Sequence, residues 1–594
     1  MIKTTYKTIT TSLLALSLFA CQESTVAEPA ATAPEQVQTQ SQRLTADDLP
    51  HYLERSVNEE VFYFVLPDRF YNGDTDNDNG SKTKLISQGG FDPTDFGMYH
   101  GGDVPGLKAK IPYLKEMGIS AIWLTPILRN QAVQADGSGY HGYWVLDFTE
   151  IDPHLGTNDD LKAFINAAHK ENIKVYFDII TNHTADVIKF TECHGEDGLT
   201  PNPSCKYRTL AEVEKMGTYT PVIPKGSENA KVPAWLNDPK YYHNQGETTF
   251  KGEDSVYGDF AGLDDVNTDD PEVVAGMIDI FKNLVTEFKP DGFRIDTVKH
   301  VNIEFWQSFA PAIVAHAKTE GIPQFFMFGE VYDFTPKNLS KFTTEGKMQS
   351  VLDFALQGAI HKALVEQKGT DELANLFAQD DFYKDSDSDA NQLLTFISNH
   401  DMGRFAWMLK NSDKNYSMEE MEQRVDLAHA ILYFARGIPV VYYGDEQGFV
   451  GDGGDKASRQ NMMPSKVDSY NDDDLLATDK TTADDNFDKS HPFYQSFAEY
   501  ASVYFANEGL RKGQQATVYS QATPGIFAVT RTFNDDKYLV LFNTSNENSS
   551  AQFALTGKTL TPVFSRQVQN QAVITNNQAN ASLSPLSVAI YKVN

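Results

Sequence analysis

Eight short apolar runs, each rich in β-branched and aromatic residues, recur along this chain and alternate with helix-like stretches such as DLKAFINAAHKEN (160–172). Apolar runs of this length, bounded by polar residues, are typical of strands that are buried on both faces of a parallel sheet. Eight such strands with intervening helices predict an α/β fold, the (β/α)8 or TIM barrel. The runs occupy residues 61–67, 119–125, 173–180, 290–296, 324–330, 350–356, 393–399 and 439–444.

Two segments depart from this alternation. Residues 184–260 are rich in Pro, Gly, Asn and Lys, which predicts an inserted lobe after the third strand. From about residue 513, short strand-like runs at 525–533 and 537–545 replace the helices. These runs predict a C-terminal antiparallel β-sandwich domain. The stretch 466–489 is acidic and predicts a surface loop near the last barrel strand.

Three acidic residues, Asp296, Glu330 and Asp401, follow apolar runs in the strings GFRIDTVKH, FMFGEVYD and FISNHD. The carboxyl ends of the strands in an α/β barrel meet at one face, where function concentrates. Arg294 lies two residues before Asp296, so the two side chains share one face of the strand. We expect the guanidinium to keep Asp296 ionised.

Two histidines accompany these acids. His183 follows Asn182 in FDIITNH, and His400 precedes Asp401, which places hydrogen-bonding groups where a core strand would have apolar ones. A chain with 82 acidic residues places some of them after apolar runs by chance. Four such strings together are poorly explained by chance, and they predict a polar site that suits sugar hydroxyls.

Four further segments occur in a fixed order with these strings: AIWLTPI (121–127), YHGYW (140–144), LDDVN (263–267) and GIPVVYYGDE (437–446). With all eight segments the chain resembles the α-amylase family of glycoside hydrolases, family 13, over residues 55–594. The resemblance implies an enzyme that cleaves α-glucosidic bonds.

The resemblance also assigns roles to the three acids. Asp296 corresponds to the family's nucleophile, Glu330 to its general acid/base and Asp401 to its third carboxylate, which binds sugar hydroxyls. Glycoside hydrolysis with a covalent intermediate needs one carboxylate to attack and one protonated carboxyl to donate. Because Glu330 follows the apolar run FFMF, we expect its pKa to be raised. The anomeric configuration would be retained.

Further residues match sugar-binding positions of the family. His183 and His400 would bind hydroxyls in one subsite, and Tyr143 would stack on the ring face. For Tyr143 and His141 the alternative is a packed aromatic segment. Lys299 and His300 resemble residues that hold an α-1,4-linked glucan on the leaving-group side. The predicted substrate-binding set is Tyr143, His141, His183, Arg294, Lys299, His300 and His400.

The substrates implied are starch, glycogen or maltodextrins, and the leading hypothesis is an endo-acting α-amylase. Cyclising relatives carry a bulky aromatic residue where this chain has Ala261, with Phe260 beside it, which disfavours cyclisation. The alternative is a neopullulanase-like or cyclomaltodextrinase-like hydrolase, although LDDVN departs from the neopullulanase segment. A surface glucan-binding protein without turnover is disfavoured, because all three acids are present.

The resemblance implies Ca²⁺ at one or two structural sites, since this ion takes oxygen ligands. The first site would join Asn182, Asp265 and the backbone carbonyl of His300. The second lies in DRFYNGDTDNDNG and HGGD, although turns rich in Asn and Asp also form without metal. Its ligands would be Asn72, Asp74, Asn77, Asp78, Gly101 and Asp103.

The N-terminal residues resemble a bacterial lipoprotein signal. Lys3 and Lys7 precede the apolar stretch ITTSLLALSLFA, which is too short to span a membrane. The residues LFAC (18–21), which end at Cys21, resemble a lipoprotein cleavage box. A lipid on Cys21 predicts an exported protein held at the cell envelope and facing outward. The alternative is an ordinary secreted protein. The predicted organisation is a signal peptide at 1–20, a flexible tether at 21–54, a barrel at 55–183 and 261–512, an inserted domain at 184–260 and a sandwich at 513–594.

The other two cysteines, Cys193 and Cys205, lie in one polar region and predict a disulfide. A half metal site is the alternative, but no nearby Cys or His set completes it. The formal charge of −32 argues against nucleic acid and anionic membranes as partners. The partner that the family resemblance implies is an α-glucan, with any membrane contact through the lipid alone. The sequence makes no prediction of oligomeric state.

Overall fold

The computed structural model describes residues 43–80, 84–134, 137–200, 205–567 and 569–594. Eight parallel strands form its central sheet: β1 (Phe62–Val65), β2 (Ala121–Leu124), β3 (Lys174–Ile179), β4 (Gly292–Ile295), β5 (Phe326–Gly329), β6 (Ser350–Val351), β7 (Leu394–Thr395) and β8 (Ile438–Tyr442). Hydrogen-bonded neighbours follow the order β6-β5-β4-β3-β2-β1-β8-β7. A parallel bridge between Leu352 and Leu394 joins the two edges, so the sheet closes into the predicted barrel.

A helix or a pair of helices follows each strand. These helices are Val104–Ala109 with Ile111–Glu116, Asn158–Lys170, Pro271–Phe288, Ile303–Thr319, Pro336–Thr344, Phe354–Ile360 with Asp371–Phe377, Phe405–Lys410 with Met418–Phe434, and Pro492–Ala506 with Glu508–Lys512. The helix predicted at 160–172 is thus Asn158–Lys170, and Thr157 caps its first turn by accepting from the Asp160 N–H. Short helices also lie at Pro67–Phe70, Ile86–Gly89 and Asp468–Asn471.

Aromatic rings fill the barrel interior. The rings of Phe64 and Trp123 stack with centroids 3.7 Å apart, and the Phe328 ring lies edge-on to Trp123 at 5.4 Å. Every residue of the eight strands is buried, as expected of a parallel sheet covered by helices. The rigid strands therefore fix the positions of the residues that follow them.

The sixth strand is shorter than the sequence predicts. Only Ser350 and Val351 of the run 350–356 are in the strand, and a helix begins at Phe354. Asp353 causes the change, because its side chain accepts from the Leu356 N–H and caps that helix. An apolar run alone does not separate a buried strand from a buried helix start.

The segment between β3 and β4 carries short strand pairs and helices. His183–Thr184 pairs with Asp264–Asp265, and Lys189–Phe190 pairs with Pro221–Val222. The predicted disulfide between Cys193 and Cys205 is present. Helices here are Thr191–His194, Leu210–Met216 and Asp254–Tyr257. Before β3, Leu128–Asn130 pairs with Val145–Ile151 and Val133–Gln134 with Gly137–Ser138.

Two antiparallel sheets form the C-terminal region. Their strands are β9 (Gln514–Tyr519), β10 (Ile526–Phe533), β11 (Asp536–Asn543), β12 (Ser549–Ala554), β13 (Leu560–Ser565), β14 (Gln571–Thr575), β15 (Gln578–Leu583) and β16 (Ser587–Val593). Five strands are ordered β9-β10-β11-β16-β13, and three are ordered β12-β15-β14. A small apolar core between the sheets includes Leu539 and Leu583, as a sandwich requires.

Candidate active site

The three predicted acids lie together at the carboxyl ends of the barrel strands. Ile295 pairs with Gly329 in the register of β4 and β5, so the next residues, Asp296 and Glu330, leave the sheet side by side. Asp401 comes from the loop after β7. All three line one cleft of about 590 Å³. The parallel register thus converts acids far apart in sequence into one cluster.

The Arg294 guanidinium holds two of these acids. Its Nη1 donates to Asp296 Oδ1 at 2.8 Å, and its Nη2 lies 3.1 Å from Glu330 Oε2. Nη1 also donates to Asp178 Oδ1 at 2.7 Å. Asp178 was missed in the sequence, although a carboxylate inside the apolar string FDIITNH was a usable signal. Its position on β3 pairs with Arg294 on β4, so the contact follows from the register.

Burial dominates the protonation of both acids. It raises the pKa of Asp296 and of Glu330 to about 7, while the Arg294 guanidinium acts in the opposite direction at each carboxyl. The expected rise for Glu330 therefore agrees with its surroundings. The expectation that the guanidinium keeps Asp296 ionised is wrong near neutral pH, because burial outweighs Arg294 at this carboxyl. Arg294 favours the ionised form of both acids, Glu330 as well as Asp296. We infer that the two carboxyls share protons near neutral pH.

The backbone after Asp296 also orients Glu330. Thr297 has a left-handed conformation with φ of 49°, which is uncommon for a residue with a β-branched side chain. In that conformation its N–H donates to Glu330 Oε2 at 3.1 Å. Strained backbone of this kind is often found at active sites.

The third acid, Asp401, is held by a residue that the sequence did not reveal. Arg459 Nη2 donates to Asp401 Oδ1 at 3.1 Å, and its Nε donates to the His400 carbonyl at 3.0 Å. Its Nη1 also donates to the Tyr140 hydroxyl at 3.1 Å. Arg459 comes from the loop after β8, outside any strand-end pattern, so no sequence signal marked it.

Tyr143 joins the predicted histidines to the acids. Its hydroxyl donates to Asp178 Oδ2 at 3.1 Å and lies 2.8 Å from His400 Nε2, and the two rings stack with centroids 5.4 Å apart. His183 Nε2 lies 3.3 Å from the Tyr143 carbonyl, and His141 Nδ1 accepts from the Tyr143 N–H at 3.0 Å. Burial lowers the pKa of His183 to about 3, so its imidazole is neutral. Neutral imidazoles both donate to and accept from hydroxyls.

Lys299 and His300 lie on another wall of the same cleft. Lys299 Nζ donates to the Tyr332 carbonyl at 3.0 Å, and His300 Nδ1 lies 2.7 Å from the Ser255 carbonyl. Aromatic residues that the sequence did not single out also line this cleft: Trp144, Phe250 and Tyr332. Such rings offer faces on which sugars stack.

The predicted second calcium loop is compact. Asn72 Nδ2 donates to Asp78 Oδ1 at 2.8 Å, and Asn77 Nδ2 donates to Asp103 Oδ2 at 3.1 Å. Within the part of the chain that the structure describes, Asn72 Oδ1 and Asn77 Oδ1 are buried without a hydrogen-bond partner. Gly101 has a φ of 92°, and a Cβ there would lie 2.6 Å from Asp78 Oδ1, so this position favours glycine. Asp74 lies at the exposed edge, where it accepts from the Asp76 N–H at 3.0 Å.

Two residues of the predicted first calcium site, Asn182 and Asp265, lie on neighbouring segments. Asp265 pairs with His183, the neighbour of Asn182, and the Val266 N–H donates to the Asn182 carbonyl at 2.9 Å. Asp265 Oδ2 lies 2.5 Å from His243 Nδ1, and burial raises the pKa of Asp265 well above its ordinary range. Across the described residues, no group of three His, Cys, Asp or Glu side chains is arranged to hold a metal ion.

The predicted lipid attachment residue, Cys21, lies outside the described residues. Among the helices of residues 43–594 that the structure describes, none is long and apolar enough to cross a membrane.

Comparison with known proteins assigns the chain to a protein family. The model of the α-amylase catalytic domain matches residues 64–512. An α-amylase of Streptomyces lividans is 43% identical over 78% of this chain and 53% of its own length. A cyclomaltodextrin glucanotransferase of Geobacillus stearothermophilus is 29% identical over 87% of this chain and 63% of its own length. The chain thus spans little more than half of the first relative.

Solved structures agree with this assignment. The α-amylase of Geobacillus thermoleovorans, complexed with acarbose, superposes with a TM-score of 0.67 at 26% identity, covering 91% of this chain and 99% of that one. The three-domain cyclomaltodextrin glucanotransferase CldA gives a TM-score of 0.69 at 26% identity over 90% and 99% of the two chains. The chain therefore belongs to the α-amylase family of glycoside hydrolases.

Proposed function

We propose that this protein is an endo-acting α-amylase that hydrolyses α-1,4-glucosidic bonds of starch, glycogen or maltodextrins with retention of configuration. One observation carries the proposal: Asp296 and Glu330 are held by two nitrogens of one buried guanidinium in an open cleft. The 43% identity to the Streptomyces lividans α-amylase supports the choice of substrate.

The reaction needs two adjacent carboxyls in different protonation states, which raised pKa values of about 7 at both positions allow near neutral pH. The Asp296 carboxylate forms a bond to the anomeric carbon while the glycosidic C–O bond breaks, and Glu330 gives its proton to the departing oxygen. Glu330, now ionised, then takes a proton from water, whose oxygen attacks the same carbon and releases Asp296. Two displacements at one carbon retain the configuration.

The remaining cleft residues bind and orient the sugar in this scheme. Asp401, held by Arg459, would accept hydrogen bonds from hydroxyls, and these bonds strengthen as the ring distorts. Neutral His183 and His400 would donate to hydroxyls, and Tyr143 would offer its ring face. Lys299 and His300 would hold the glucan on the leaving-group side.

The test is a chromatographic product profile from the purified chain with maltoheptaose, pullulan and β-cyclodextrin in separate incubations. We expect mixed maltooligosaccharides from maltoheptaose, with pullulan and the ring nearly untouched. Fast opening of the ring, or panose or maltotriose from pullulan, would instead favour a cyclomaltodextrinase-like or neopullulanase-like hydrolase. A cyclic product would indicate a glucanotransferase, and an absence of products would favour a glucan-binding protein.

An Asp296→Ala variant assigns the nucleophile in the same assay. We expect it to lose turnover while it still folds and binds maltoheptaose, because only the attacking group is removed. Asp413→Ala is the matched control, since the Asp413 carboxylate is 85% exposed and does not line the cleft. Substantial hydrolysis by Asp296→Ala would remove Asp296 from this role.

Calcium is part of the proposal at both sites. The loop site fits a hard cation, because Asn72 and Asn77 have buried, unpartnered oxygens beside the Asp78 and Asp103 carboxylates. The other site would use Asn182, Asp265 and the His300 carbonyl, which would tie the segment after β3 to the barrel. In either place the ion would stabilise the fold, while the carboxylates perform the chemistry.

We also propose that the protein is exported and tethered by a lipid on Cys21, with its catalytic part outside the cytoplasm. The sequence around Cys21 supports the tether, and the disulfide between Cys193 and Cys205 suits an oxidising compartment. In cells, Cys21→Ser should move the protein from the membrane fraction to the soluble exported fraction. Unchanged fractionation would contradict the tether.

A further inference from the structure

A tight turn at Phe260–Leu263 forms part of the cleft wall. The Phe260 N–H donates to the Leu263 carbonyl at 3.2 Å, and the Leu263 N–H donates to the Phe260 carbonyl at 3.1 Å. The two central residues, Ala261 and Gly262, have φ of 52° and 86°. Positive φ at both positions defines a type I′ turn, which favours Asn, Asp or Gly at the first of them. Alanine there is strained, so the turn needs support from its surroundings.

The turn places Phe260 against two predicted sugar-binding residues. The Phe260 ring stacks on His183 with centroids 5.4 Å apart and lies edge-on to His300 at 5.1 Å. Ala261 and Leu263 line the cleft as well. A change in the turn would therefore move the wall that both histidines contact.

A carboxylate behind the turn supplies the support. Glu247 Oε2 accepts from the Gly262 N–H at 3.0 Å, and Glu247 does not line the cleft. Its own backbone is fixed, because its N–H donates to the Cys205 carbonyl at 2.8 Å. Burial, with a smaller contribution from Asp186, raises the pKa of Glu247 to about 7. A neutral glutamine is thus a close substitute for this side chain.

We propose that Glu247 is a positioning residue that holds the strained turn Phe260–Leu263 in place and thereby sets how tightly the cleft binds its glucan. This inference rests on the proposed function for its substrate. Glu247 acts through Phe260 and does not touch the reacting atoms, so it affects binding more than the chemical step.

The first test compares Glu247→Ala with Glu247→Gln on maltoheptaose. Glu247→Ala should raise KM about tenfold with kcat within twofold of wild type. The turn Phe260–Leu263 would become more mobile, whereas Asp296 and Glu330 would keep their positions. Glu247→Gln keeps an oxygen acceptor for the Gly262 N–H and should retain the wild-type KM. Glu253→Ala is the control, since this exposed glutamate bonds Leu210 and Tyr207 elsewhere in the same segment.

A double variant distinguishes the proposed positioning role of Glu247 from a general destabilisation of the fold. Ala261→Gly removes the strain, so Glu247→Ala combined with Ala261→Gly should return KM to within about threefold of wild type. An unchanged KM in Glu247→Ala, a kcat loss equal to the KM effect, or no rescue by Ala261→Gly would each overturn the proposal.

Two measurements remain informative even if the protein does not hydrolyse maltoheptaose. Amide hydrogen exchange of the peptide that contains Gly262 should be at least tenfold faster in Glu247→Ala than in Glu247→Gln. In an Asp296→Ala background, calorimetry should show about tenfold weaker maltoheptaose binding when Glu247 is replaced by Ala. Equal exchange rates or equal affinities would overturn the role of Glu247, whereas absent hydrolysis alone would overturn only the proposed function.

Discussion

At the scale of residues, one buried guanidinium contacts three buried carboxyls. Arg294 contacts Asp178, Asp296 and Glu330, and burial raises the pKa of all three to about 7. A single positive charge cannot compensate three negative charges in a medium of low dielectric constant. The cluster therefore retains at least one proton near neutral pH. When Glu330 carries this proton, it can act as the general acid of the proposed mechanism.

The pH dependence of kcat/KM follows from this shared protonation. The proposed mechanism needs one carboxyl of the Asp296–Glu330 pair ionised and the other protonated, so activity should rise as the first proton leaves and fall as the second leaves. Because burial raises both pKa values to about 7, the falling limb should lie near or above neutral pH, well above about 4.3 for an ordinary glutamic acid.

A pH series of kcat/KM with a short maltooligosaccharide measures this, and circular dichroism at each pH checks that the protein stays folded. A falling limb near pH 4 to 5 would contradict the raised pKa of the acid.

Arg459 offers a second prediction for a single residue. Arg459→Leu removes the guanidinium that holds Asp401 and the His400 carbonyl, so the third acid loses its orientation. Charged hydrogen bonds contribute roughly 1.5–3 kcal/mol, which predicts a fall in kcat/KM of about tenfold to a hundredfold. Arg43→Leu, at an exposed arginine that does not line the cleft, should leave kcat/KM unchanged. Wild-type activity in folded Arg459→Leu would show that Asp401 needs no such support.

At the scale of elements, the sequence predicted strands better than it predicted loops. The runs at 173–180 and 290–296 became β3 and β4 within two residues of their predicted bounds, because strands buried on both faces are mostly apolar, although Asp178 and Arg294 interrupt these two. Acids such as Asp296 and Glu330 at strand ends could be located from that pattern. Arg459 could not, since loops carry no periodic signal. The strained turn at Ala261 also depends on a distant carboxylate, so it was invisible in the local sequence.

The loop that holds Asn72 and Asp78 yields a prediction for a whole element. If calcium binds there only in the folded state, chelation removes stabilisation of about 2.7 kcal/mol at a hundredfold excess of ion over Kd. For about 550 residues that unfold together, Tm shifts by roughly 1 °C per kcal/mol, so this corresponds to a fall in Tm of about 2–3 °C. Differential scanning fluorimetry with EDTA, and then with excess Ca²⁺, measures the fall and its reversal.

The loop itself is tested with a matched pair of variants. Asp78→Ala should lower Tm and reduce the further fall caused by EDTA, because one ligand is already lost. Asp76→Ala, at an exposed residue of the same loop, should keep the wild-type response. A melting curve that EDTA does not change, with no calcium found by metal analysis, would remove both proposed sites.

At the scale of the whole molecule, the C-terminal sheets share the barrel's core. Strand β10 alternates between two partners: Phe527 and Val529 belong to the apolar core of the barrel, whereas Ile526 and Ala528 face the three-stranded sheet. Arg566 adds polar contacts across the same boundary, since its Nε donates to Asp426 at 2.9 Å. The five-stranded sheet is therefore a structural layer of the barrel as well as half of the sandwich.

This shared core predicts one cooperative unfolding transition for the described chain. Val540→Ala, at a fully buried position of the barrel core on β11, should lower the free energy of unfolding by about 2 kcal/mol and shift the whole transition. Val573→Ala, at a side chain that is 58% exposed on β14, should leave the transition in place. Calorimetry distinguishes the outcomes, because an independent sandwich would unfold in a separate peak and Val540→Ala would move that peak alone. A chain ending at residue 512 should aggregate, since it would expose the barrel surface that Phe527 and Val540 cover.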